Sequence, residues 1–324
     1  MAHAVRMHAT GGPDVLTWEP VQVAAPGPGE LRIRQVACGL NYIDTYHRSG
    51  LYPLPLPATI GMEAAGVVDA VGDGVDGFQV GQPVCYGAGP PGAYAELRNI
   101  AASRVIVRPE GIGAQQAAGM MLKGMTAQYL IRRTYRVRAG ETVLFHAAAG
   151  GVGLIACQWL KHLGATVIGT VGSDAKARVA RAHGCDHPIV YTRESFADRV
   201  REITHGRGVP VVYDSVGHDT FEPSLDCLQP RGLLVSFGNA SGPVPAFSPG
   251  LLAQKGSLYL TRPTLMTYVA ERHDHVATAN ELFDVVRSGA VRIEIERTYP
   301  LAEAARAHRD LEARRTTGST VLLT

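Results

Sequence analysis

One segment near the middle of the chain constrains the fold more than any other. Residues 142–153 read TVLFHAAAGGVG, an apolar run of strand length that leads at once into a glycine-rich turn. A helical pattern over Val152–Leu163 follows directly. A strand that enters a helix through such a turn is the context that a dinucleotide fingerprint requires. The segment therefore predicts the first strand-turn-helix unit of a doubly wound parallel sheet.

The residues of this turn suit the binding of a pyrophosphate. A glycine at 150 lets the backbone approach phosphates closely, and a glycine at 153 lets the helix pack against the strand. The start of the helix adds unpaired N–H groups and the positive end of the helix dipole. The alternative is a tight turn that binds no ligand, and an alanine in place of the first glycine of the usual pattern weakens the motif. The predicted cofactor-binding residues of the turn are Ala148, Gly150, Gly151, Val152 and Gly153.

The end of the second strand indicates which dinucleotide is bound. An NAD site usually has Asp or Glu there to bind the ribose 2′-OH, whereas here Gly172 and Ser173 follow the strand Thr166–Val171. Small residues leave room for a 2′-phosphate, and Lys176 supplies a positive charge within reach. Asp174 argues in the other direction, and Lys176 is alternatively an ordinary exposed helix lysine. The pattern favours NADPH over NADH.

Strand and helix patterns alternate around the glycine-rich turn, which predicts a parallel sheet with helices on both faces. A helix over Ala117–Arg133 precedes the alternation, and a turn at Pro230-Arg231-Gly232 precedes its last strand. The predicted strands are Thr142–Ala147, Thr166–Val171, Ile189–Tyr191, Val209–Tyr213 and Leu233–Gly238. The predicted helices are Val152–Leu163, Asp174–His183, with Ser173 as its N-cap, and Phe196–Thr204.

The two ends of the chain have a different texture. The first 120 residues are rich in glycine, proline and β-branched residues, which predicts a compact, mostly β domain. After about Gly256 the alternation fades. There we expect a helix with an apolar stripe from Val276 to Val286, a last helix over Leu301–Arg314 and a closing strand at Ser319–Leu323 that returns to the first domain. The predicted strands of the first part include Leu31–Ala37, Ala64–Val71 and Val105–Val107.

Composition limits the classes of protein to which the chain can belong. A length of 324 residues predicts two domains. The net charge of +2, without a basic stripe, gives no indication of a nucleic-acid partner. No apolar run approaches the roughly 18 residues of a membrane helix. The start of the chain has no apolar signal region, and five cysteines without C-x-x-C spacing argue against disulfides. We therefore expect a reduced, cytoplasmic protein.

Several blocks of sequence, spread over the whole chain, resemble the zeta-crystallin type of quinone oxidoreductase in the medium-chain dehydrogenase/reductase superfamily. The resemblance is strongest around the glycine-rich turn, where the whole signature of that family is present without a gap. The blocks are Gly140-Glu141-x-x-Leu144, Ala148-Ala149-Gly150-Gly151-x-Gly153, Gln158 and Lys161, Cys38–Tyr46, Gly50–Pro53, Asp214–Gly217, Ser236–Gly242 and Leu260–Pro263.

The resemblance implies a GroES-like catalytic domain, residues 1–122 and 265–324, and a Rossmann NADPH-binding domain, residues 123–264. It implies a cleft between them for cofactor and substrate, and a homodimer or homotetramer joined through the cofactor domains. Near the nicotinamide it implies the catalytic candidates Asn41, Tyr46 and Thr126. The remaining implied cofactor positions are Gly172, Ser173, Lys176, Tyr191 and Arg314 near the 2′-phosphate, and Ser215, Phe237, Gly238, Asn239 and Arg262 elsewhere along the cofactor and the cleft.

The resemblance also implies that this chain has no catalytic zinc. In the zinc alcohol dehydrogenases of the superfamily the first ligand is a cysteine that aligns with Asn41, and the second is the histidine of a Gly-His-Glu triplet. The triplet here reads Gly61-Met62-Glu63, and neither Asn nor Met suits Zn²⁺. The cysteines of the structural zinc lobe are missing, and Cys38 and Cys85 lie in apolar runs that predict core packing. No metal is expected.

Without a Lewis acid to ionise an alcohol, reduction of an acceptor that takes hydride readily is the easier chemistry. The expected function is therefore transfer of hydride from NADPH to a quinone. Tyr46 or Asn41 would donate a hydrogen bond to the carbonyl oxygen as negative charge develops, and Tyr46 is also a candidate proton donor. Asp44 is expected to support the local backbone. The alternatives are an NADPH-dependent alkenal or enone reductase, or an NADPH-binding crystallin-like structural or RNA-binding protein.

Overall fold

The computed structural model describes residues 1–324. The chain forms two compact units, one of 1–125, 268–287 and 293–324, the other of 126–267 and 288–292. The strands are β1 (Ala2–Met7), β2 (Leu16–Val21), β3 (Glu30–Gly39), β4 (Ala58–Thr59), β5 (Ala64–Val71), β6 (Pro83–Tyr86), β7 (Leu97–Ala101), β8 (Ile106–Val107), β9 (Thr142–Phe145), β10 (Thr166–Val171), β11 (His187–Val190), β12 (Val209–Asp214), β13 (Leu228–Ser236), β14 (Tyr259–Thr261), β15 (Ile295–Pro300) and β16 (Ser319–Leu323).

The α-helices are α1 (Tyr42–Ser49), α2 (Ala114–Tyr129), α3 (Gly151–His162), α4 (Asp174–Ala182), α5 (Phe196–Ile203), α6 (Phe221–Cys227), α7 (Gly250–Gln254), α8 (Leu265–Tyr268), α9 (Arg272–Arg287) and α10 (Ala304–Glu312). Short 3-10 helices occupy Pro13–Val15, Ala102–Arg104 and Leu301–Glu303, and a π-helical turn occupies Leu130–Thr134. None of the helices is long and apolar enough to cross a membrane.

The first unit is built on the long strand β3. Buried residues alternate along it at Leu31, Ile33, Gln35 and Ala37, the pattern of a strand with one face on a core. The sheet order is β15-β16-β3-β5-β6-β8, with β7 also paired to β3, and a small sheet β2-β1-β4 lies beside it in the same unit. The closing strand β16 pairs antiparallel with β3, which confirms that the end of the chain returns to the first domain.

The second unit holds a six-stranded parallel sheet in the order β11-β10-β9-β12-β13-β14. The chain winds outward from β9 in both directions, so the strand order reverses between β9 and β12. A ligand crevice is expected at the carboxyl ends of the strands next to such a reversal. The predicted strand β10 has the expected bounds, and β9, β12 and helices α3 to α5 differ from prediction by one or two residues at an end. The predicted architecture, a mostly β domain with a second domain built on a doubly wound parallel sheet, is confirmed.

The predicted turn at residues 230–232 is wrong. These residues lie inside β13, where the pairing with β12 shifts register between Val209 and Val211. Arg231 has a φ of 63°, and its N–H donates to the carbonyl oxygen of Gly256 at 2.8 Å. The tripeptide therefore forms a bulge that is tied to the neighbouring segment, because its backbone groups find partners without leaving the strand.

Candidate active site

The glycine-rich turn has the geometry of a phosphate cradle. Helix α3 begins at Gly151, and its N-cap, Gly150, places no side chain over the first helical N–H groups. A Cβ on Gly153 would overlap the carbonyl oxygen of Ala147 and would lie 2.8 Å from the Cα of Ala148. Glycine is therefore required at 153, while the open N-terminus of α3 can receive a pyrophosphate.

The residues predicted for the 2′-phosphate lie at the carboxyl ends of β10 and β11. Ser173 is the N-cap of α4, and its hydroxyl accepts the backbone N–H of Lys176 at 3.3 Å, so Lys176 lies in the first turn of that helix. A Cβ on Gly172 would lie 2.9 Å from the hydroxyl oxygen of Tyr191. The structure thus brings Gly172 and Tyr191 close together, and a larger residue at 172 would push the Tyr191 hydroxyl aside.

Asp174, which argued against a 2′-phosphate, has a partner that was not predicted from the sequence. Its carboxylate accepts two hydrogen bonds from the guanidinium of Arg193, at 2.8 and 2.7 Å. The side chains are 61% and 60% exposed, respectively. Arg193 follows Tyr191 by two residues, so its position just beyond a predicted phosphate-binding residue was the available signal. The ion pair neutralises the one acidic charge in the first turn of α4.

Two loops at the carboxyl ends of β12 and β13 pack against each other. The N–H of Ala240 donates to the carbonyl oxygen of Ser215 at 3.1 Å, and a Cβ on Gly238 would lie 2.5 Å from that oxygen. After β14, the guanidinium of Arg262 donates to the carbonyl of Ser236 at 3.2 Å. The structure therefore groups at this edge of the sheet the predicted residues Ser215, Phe237, Gly238, Asn239 and Arg262.

A buried polar network supports these loops from beneath. His146 follows β9 directly, and its ring nitrogens lie 2.9 Å from the hydroxyls of Thr170 and Ser224. Burial lowers the pKa of His146, so the ring is neutral at physiological pH. Asp214 accepts hydrogen bonds from the backbone N–H groups of Val216 and Gly217 and from nearby hydroxyls. The network fixes the ends of β9, β10 and β12 against one another.

In the first unit, Asn41 lies at the N-cap of α1 and is 7% exposed. Its backbone N–H donates to the carboxylate of Asp44 at 2.9 Å, which confirms the expectation that Asp44 supports the local backbone. The side-chain nitrogen of Asn41 donates to Glu63 at 3.0 Å and to the carbonyl oxygen of Gly39 at 3.3 Å. Both neighbours are acceptors only, so the amide nitrogen must face them.

Glu63 and Lys123 were not predicted as site residues, and they form a buried ion pair. The Glu63 side chain is fully buried and that of Lys123 is 6% exposed. Besides the ammonium of Lys123 and the amide of Asn41, Glu63 accepts the backbone N–H of Leu122 at 2.6 Å. The available signal was a lone lysine in the apolar stretch Met120–Met125 of α2.

The other predicted catalytic residues are distributed over both units. Tyr46 is almost buried on α1, and its ring lies edge-on to that of Tyr52 with centroids 5.3 Å apart. Thr126, half-buried on α2, opens the second unit, whereas Arg314, exposed after α10, belongs to the first. Thr126 is thus in a different unit from the other catalytic candidates, Asn41 and Tyr46. Arg314 is in a different unit from the other residues predicted near the 2′-phosphate.

A chain of hydrogen bonds runs from the start of α1 to α10. The hydroxyl of Tyr94 donates to Asp44 at 2.9 Å and lies 3.2 Å from Nε2 of His308. Nδ1 of His308 lies 3.0 Å from the guanidinium of Arg48, which binds both carboxylate oxygens of Glu312. Burial, with the charge of Arg48, lowers the pKa of His308 to about 3, so its Nδ1 accepts from Arg48 and its Nε2–H faces Tyr94.

The buried carboxyl of Asp44 should make the stability of the protein depend on pH. Burial raises the pKa of its carboxyl to about 7, although Tyr94 and Asn41 hydrogen-bond to it, and one carboxylate oxygen has no partner. Because folding favours the protonated form, the stability that this group contributes is present below pH 4 and is lost as pH rises to 7. Relative to Asp44→Asn, the wild type should lose roughly 2–3 kcal/mol of unfolding free energy from pH 5 to 7.

Urea unfolding of both proteins from pH 5 to 9 measures this difference. Comparing the two proteins is necessary because His47, His275 and His308, whose pKa values burial lowers to about 4, 4 and 3, change stability in the opposite direction below pH 6.5. A difference between the proteins that stays constant from pH 5 to 9 would contradict the raised pKa of Asp44.

The cysteines occupy the core. All five are free and buried, and burial raises the pKa of Cys38 and of Cys85 to about 12. The thiol of Cys38 donates to the carbonyl oxygen of Ala93 at 2.7 Å. No group of three or more His, Cys, Asp and Glu side chains in residues 1–324 is arranged to hold a metal ion.

Comparison with known proteins gives matches over the whole chain. The family described as alcohol dehydrogenase GroES-like domain matches residues 27–139, and that described as zinc-binding dehydrogenase matches residues 151–282. The quinone oxidoreductase of Pseudomonas aeruginosa is 58% identical over 100% of both chains. The 2-haloacrylate reductase of a Burkholderia species is 48% identical over 100% of this chain and 99% of its own. The crystal structure of Escherichia coli quinone oxidoreductase complexed with NADPH has a TM-score of 0.98 at 49% identity, over 99% of this chain and 100% of its own.

Proposed function

The chain belongs to the quinone oxidoreductase family of the medium-chain dehydrogenase/reductase superfamily, and on that basis we propose that it transfers hydride from NADPH to a quinone. The observation that carries the proposal is the N-terminus of α3, which lies at the carboxyl edge of a parallel sheet. It is left open by its N-cap, Gly150, and Gly153 lets the helix pack closely on the turn before it. Residues 1–122 with 265–324 are proposed as the catalytic domain, and residues 123–264 as the NADPH-binding domain.

The residues at the sheet edge fit NADPH. The pyrophosphate would be held by the N–H groups of residues 150–153, and the 2′-phosphate by the small Gly172 and Ser173 together with Lys176 and Tyr191. Arg314 is proposed as a further phosphate ligand, and Ser215, Phe237, Gly238, Asn239 and Arg262 as contacts along the rest of the cofactor. When bound, NADPH supplies the hydride, and the protein binds, orients and shields the reactants.

The catalytic proposal assigns different tasks to the predicted residues. Tyr46 is proposed to donate a hydrogen bond to the acceptor oxygen. Asn41 is proposed to shape the site, because its amide hydrogens are taken by Glu63 and Gly39, and Thr126 to contact the nicotinamide. We propose no zinc, although one matching family is described as zinc-binding, because Asn41 and Met62 stand where the zinc alcohol dehydrogenases have metal ligands.

We also propose that the protein is a cytoplasmic homodimer or homotetramer that acts without nucleic acid.

A second candidate function is reduction of an electron-poor carbon–carbon double bond. The 48% identity to a 2-haloacrylate reductase favours it, since haloacrylate, like an enone, accepts hydride at an activated alkene. The fold and the cofactor are the same for both functions, so the acceptor alone distinguishes them.

Oxidation of NADPH followed at 340 nm tests these functions. The acceptors are 1,4-benzoquinone, 9,10-phenanthrenequinone, 2-chloroacrylate and a 2-alkenal, each repeated with NADH and with a chelator. Quinone-dependent oxidation that prefers NADPH and is insensitive to the chelator is the expected result. Turnover of the alkenes alone would replace the first candidate with the second. Tight NADPH binding without turnover of any acceptor would contradict both and leave the structural or RNA-binding alternative.

Tyr46→Phe is expected to lower kcat for quinones by about 10–100-fold, because it removes a hydrogen-bond donor at the developing negative charge. The KM for NADPH should be unchanged. Tyr52→Phe, which alters the neighbouring ring, is the matched control and should retain its rate. Steady-state kinetics of both variants decide the point, and an unchanged kcat in Tyr46→Phe would remove Tyr46 from the chemistry.

Arg193→Gln is expected to weaken NADPH binding about fivefold while leaving NADH binding unchanged. The loss of its partner exposes the charge of Asp174 to the 2′-phosphate, and exposed charge pairs are worth about 1 kcal/mol or less. Asp174→Asn with Arg193→Gln should recover most of the affinity. Arg199→Gln, which breaks an exposed pair on α5, is the control. Fluorescence titrations at low salt measure the Kd values of the wild type and the three variants for each cofactor, and equal losses for NADPH and NADH would contradict a specific effect on the 2′-phosphate.

A further inference from the structure

The ammonium of Lys123 is a buried cation with unused hydrogen-bonding capacity. Its one hydrogen-bond partner is Glu63, whereas an ammonium has three N–H donors. A buried donor that lacks an acceptor costs free energy. The two remaining N–H groups therefore need an acceptor that lies outside the protein chain, either water or a bound molecule.

Glu63 takes one of the three N–H groups of Lys123. Its Oε1 accepts that hydrogen bond together with one from Asn41, and its Oε2 accepts the backbone N–H of Leu122 instead of a second bond from Lys123. A Cβ on Gly39 would overlap the carboxylate of Glu63 and the carbonyl oxygen of Ala118, so the packing holds Glu63 in one place. The carboxylate is thus fixed by three donors, and the ammonium is anchored beside it.

Asn41 is committed in the same way. The acceptors that surround its amide nitrogen, Glu63 and the carbonyl of Gly39, use both of its hydrogens. An acceptor molecule at Asn41 would find no free amide hydrogen there. Within this cluster of three side chains, Lys123 alone retains donors, and it also carries the positive charge.

We propose that Lys123 is a catalytic residue that donates a hydrogen bond to the acceptor oxygen and stabilises the negative charge that hydride transfer places there. The proposal rests on the proposed function. Hydride breaks its C–H bond in the cofactor and carries two electrons to the quinone, which becomes a hydroquinone monoanion, or to the enone, which becomes an enolate. The ammonium keeps its proton, and a proton from solvent completes the neutral product.

The physical reason for the proposal is that a preorganised charge in a buried site is worth far more than the same charge in water. In a zinc-free site, Lys123 would supply a fixed positive charge at the acceptor oxygen. The Glu63 carboxylate holds the ammonium in position and leaves two of its N–H groups free to donate.

The test replaces both partners of the ion pair, because removal of one alone leaves a buried charge. In Lys123→Met with Glu63→Gln, NADPH should bind within twofold of the wild type by fluorescence titration, while kcat for quinones should fall about 100-fold. Lys161→Met with Asp186→Asn, which removes an exposed ion pair, is the matched control and should retain the wild-type rate. Wild-type kcat in the Lys123 double variant would overturn the proposal.

A series of substituted benzoquinones separates catalysis from structural support. If Lys123 stabilises the product anion, log kcat in the double variant should depend more steeply on the pKa of the hydroquinone than it does in the wild type. A merely structural role would lower all the rates equally and leave the slope unchanged, and that result would overturn the proposal.

Binding of 4-nitrophenol to the wild type with NADPH, whose reduced nicotinamide ring carries no positive charge, needs neither turnover nor a folded variant. The absorbance of the bound nitrophenolate should show the pKa of the phenol lowered by at least one unit, since Lys123 favours the anion. An unshifted pKa would overturn the role of Lys123. A lowered pKa in a protein that reduces no acceptor would support the role of Lys123 as an anion-binding residue and refute the proposed function separately.

Discussion

Gly153→Ala is expected to weaken NADPH binding by at least about 100-fold. The added methyl group would overlap the carbonyl oxygen of Ala147 and stand 2.8 Å from the Cα of Ala148. Both are backbone atoms and cannot swing aside like the end of a flexible side chain, so α3 must move away from β9. That movement displaces the helical N–H groups from the pyrophosphate. Fluorescence titration with NADPH measures the loss.

Gly113→Ala is the control for this substitution. Gly113 has no heavy atom within 4 Å of its added Cβ, so the same chemical change should leave NADPH affinity unaltered. Circular dichroism of Gly153→Ala establishes that the second unit is folded. A folded Gly153→Ala protein with wild-type affinity would show that the cofactor does not use the start of α3.

Glu63→Gln is expected to lower the free energy of unfolding by about 3–5 kcal/mol, the usual cost of removing one partner from a buried ion pair. Glutamine has a single acceptor oxygen, whereas three donors converge on Glu63. The ammonium of Lys123 would also remain buried without its counter-charge. Urea unfolding, followed by a probe in the first unit, measures the change.

The addition of Lys123→Met to this variant should recover most of the lost stability, because the uncompensated charge is removed. Asp186→Asn breaks an exposed ion pair with Lys161 and should cost less than about 1 kcal/mol. A loss in Glu63→Gln no larger than that of Asp186→Asn would contradict the burial of the Lys123–Glu63 pair.

The parts of the fold that the sequence predicted are those with local signals. Strand β10 is a buried apolar run, and helix α4 begins directly after the capping residue Ser173, so their bounds follow from periodicity and capping. Strand β15 was missed because four of its six residues are exposed and show no alternation. The turn at residues 230–232 was wrong because proline and glycine also occur in bulges, and only the pairing partner distinguishes the two.

The candidate site likewise contains a part with a local sequence signal and a part without one. The glycine-rich turn is contiguous, so its chemistry could be predicted from a dozen residues. The ion pair of Lys123 with Glu63 joins residues 60 positions apart, and the contact of Arg48 with His308 joins residues 260 apart. Neither pair has a spacing rule, because the pairing depends on which strands and helices the fold brings together.

The pairing of β16 with β3 has a consequence for the order in which the protein becomes complete during synthesis. Strand β3 ends at Gly39, but its partner, Ser319–Leu323, leaves the ribosome only after the whole second unit has been made. The second unit, which lies almost entirely within residues 126–267, can finish folding while the first still lacks an edge of its sheet. A chain that stops before Ser319 would therefore leave β3 unpaired along part of its length, as an open edge on which other chains can aggregate.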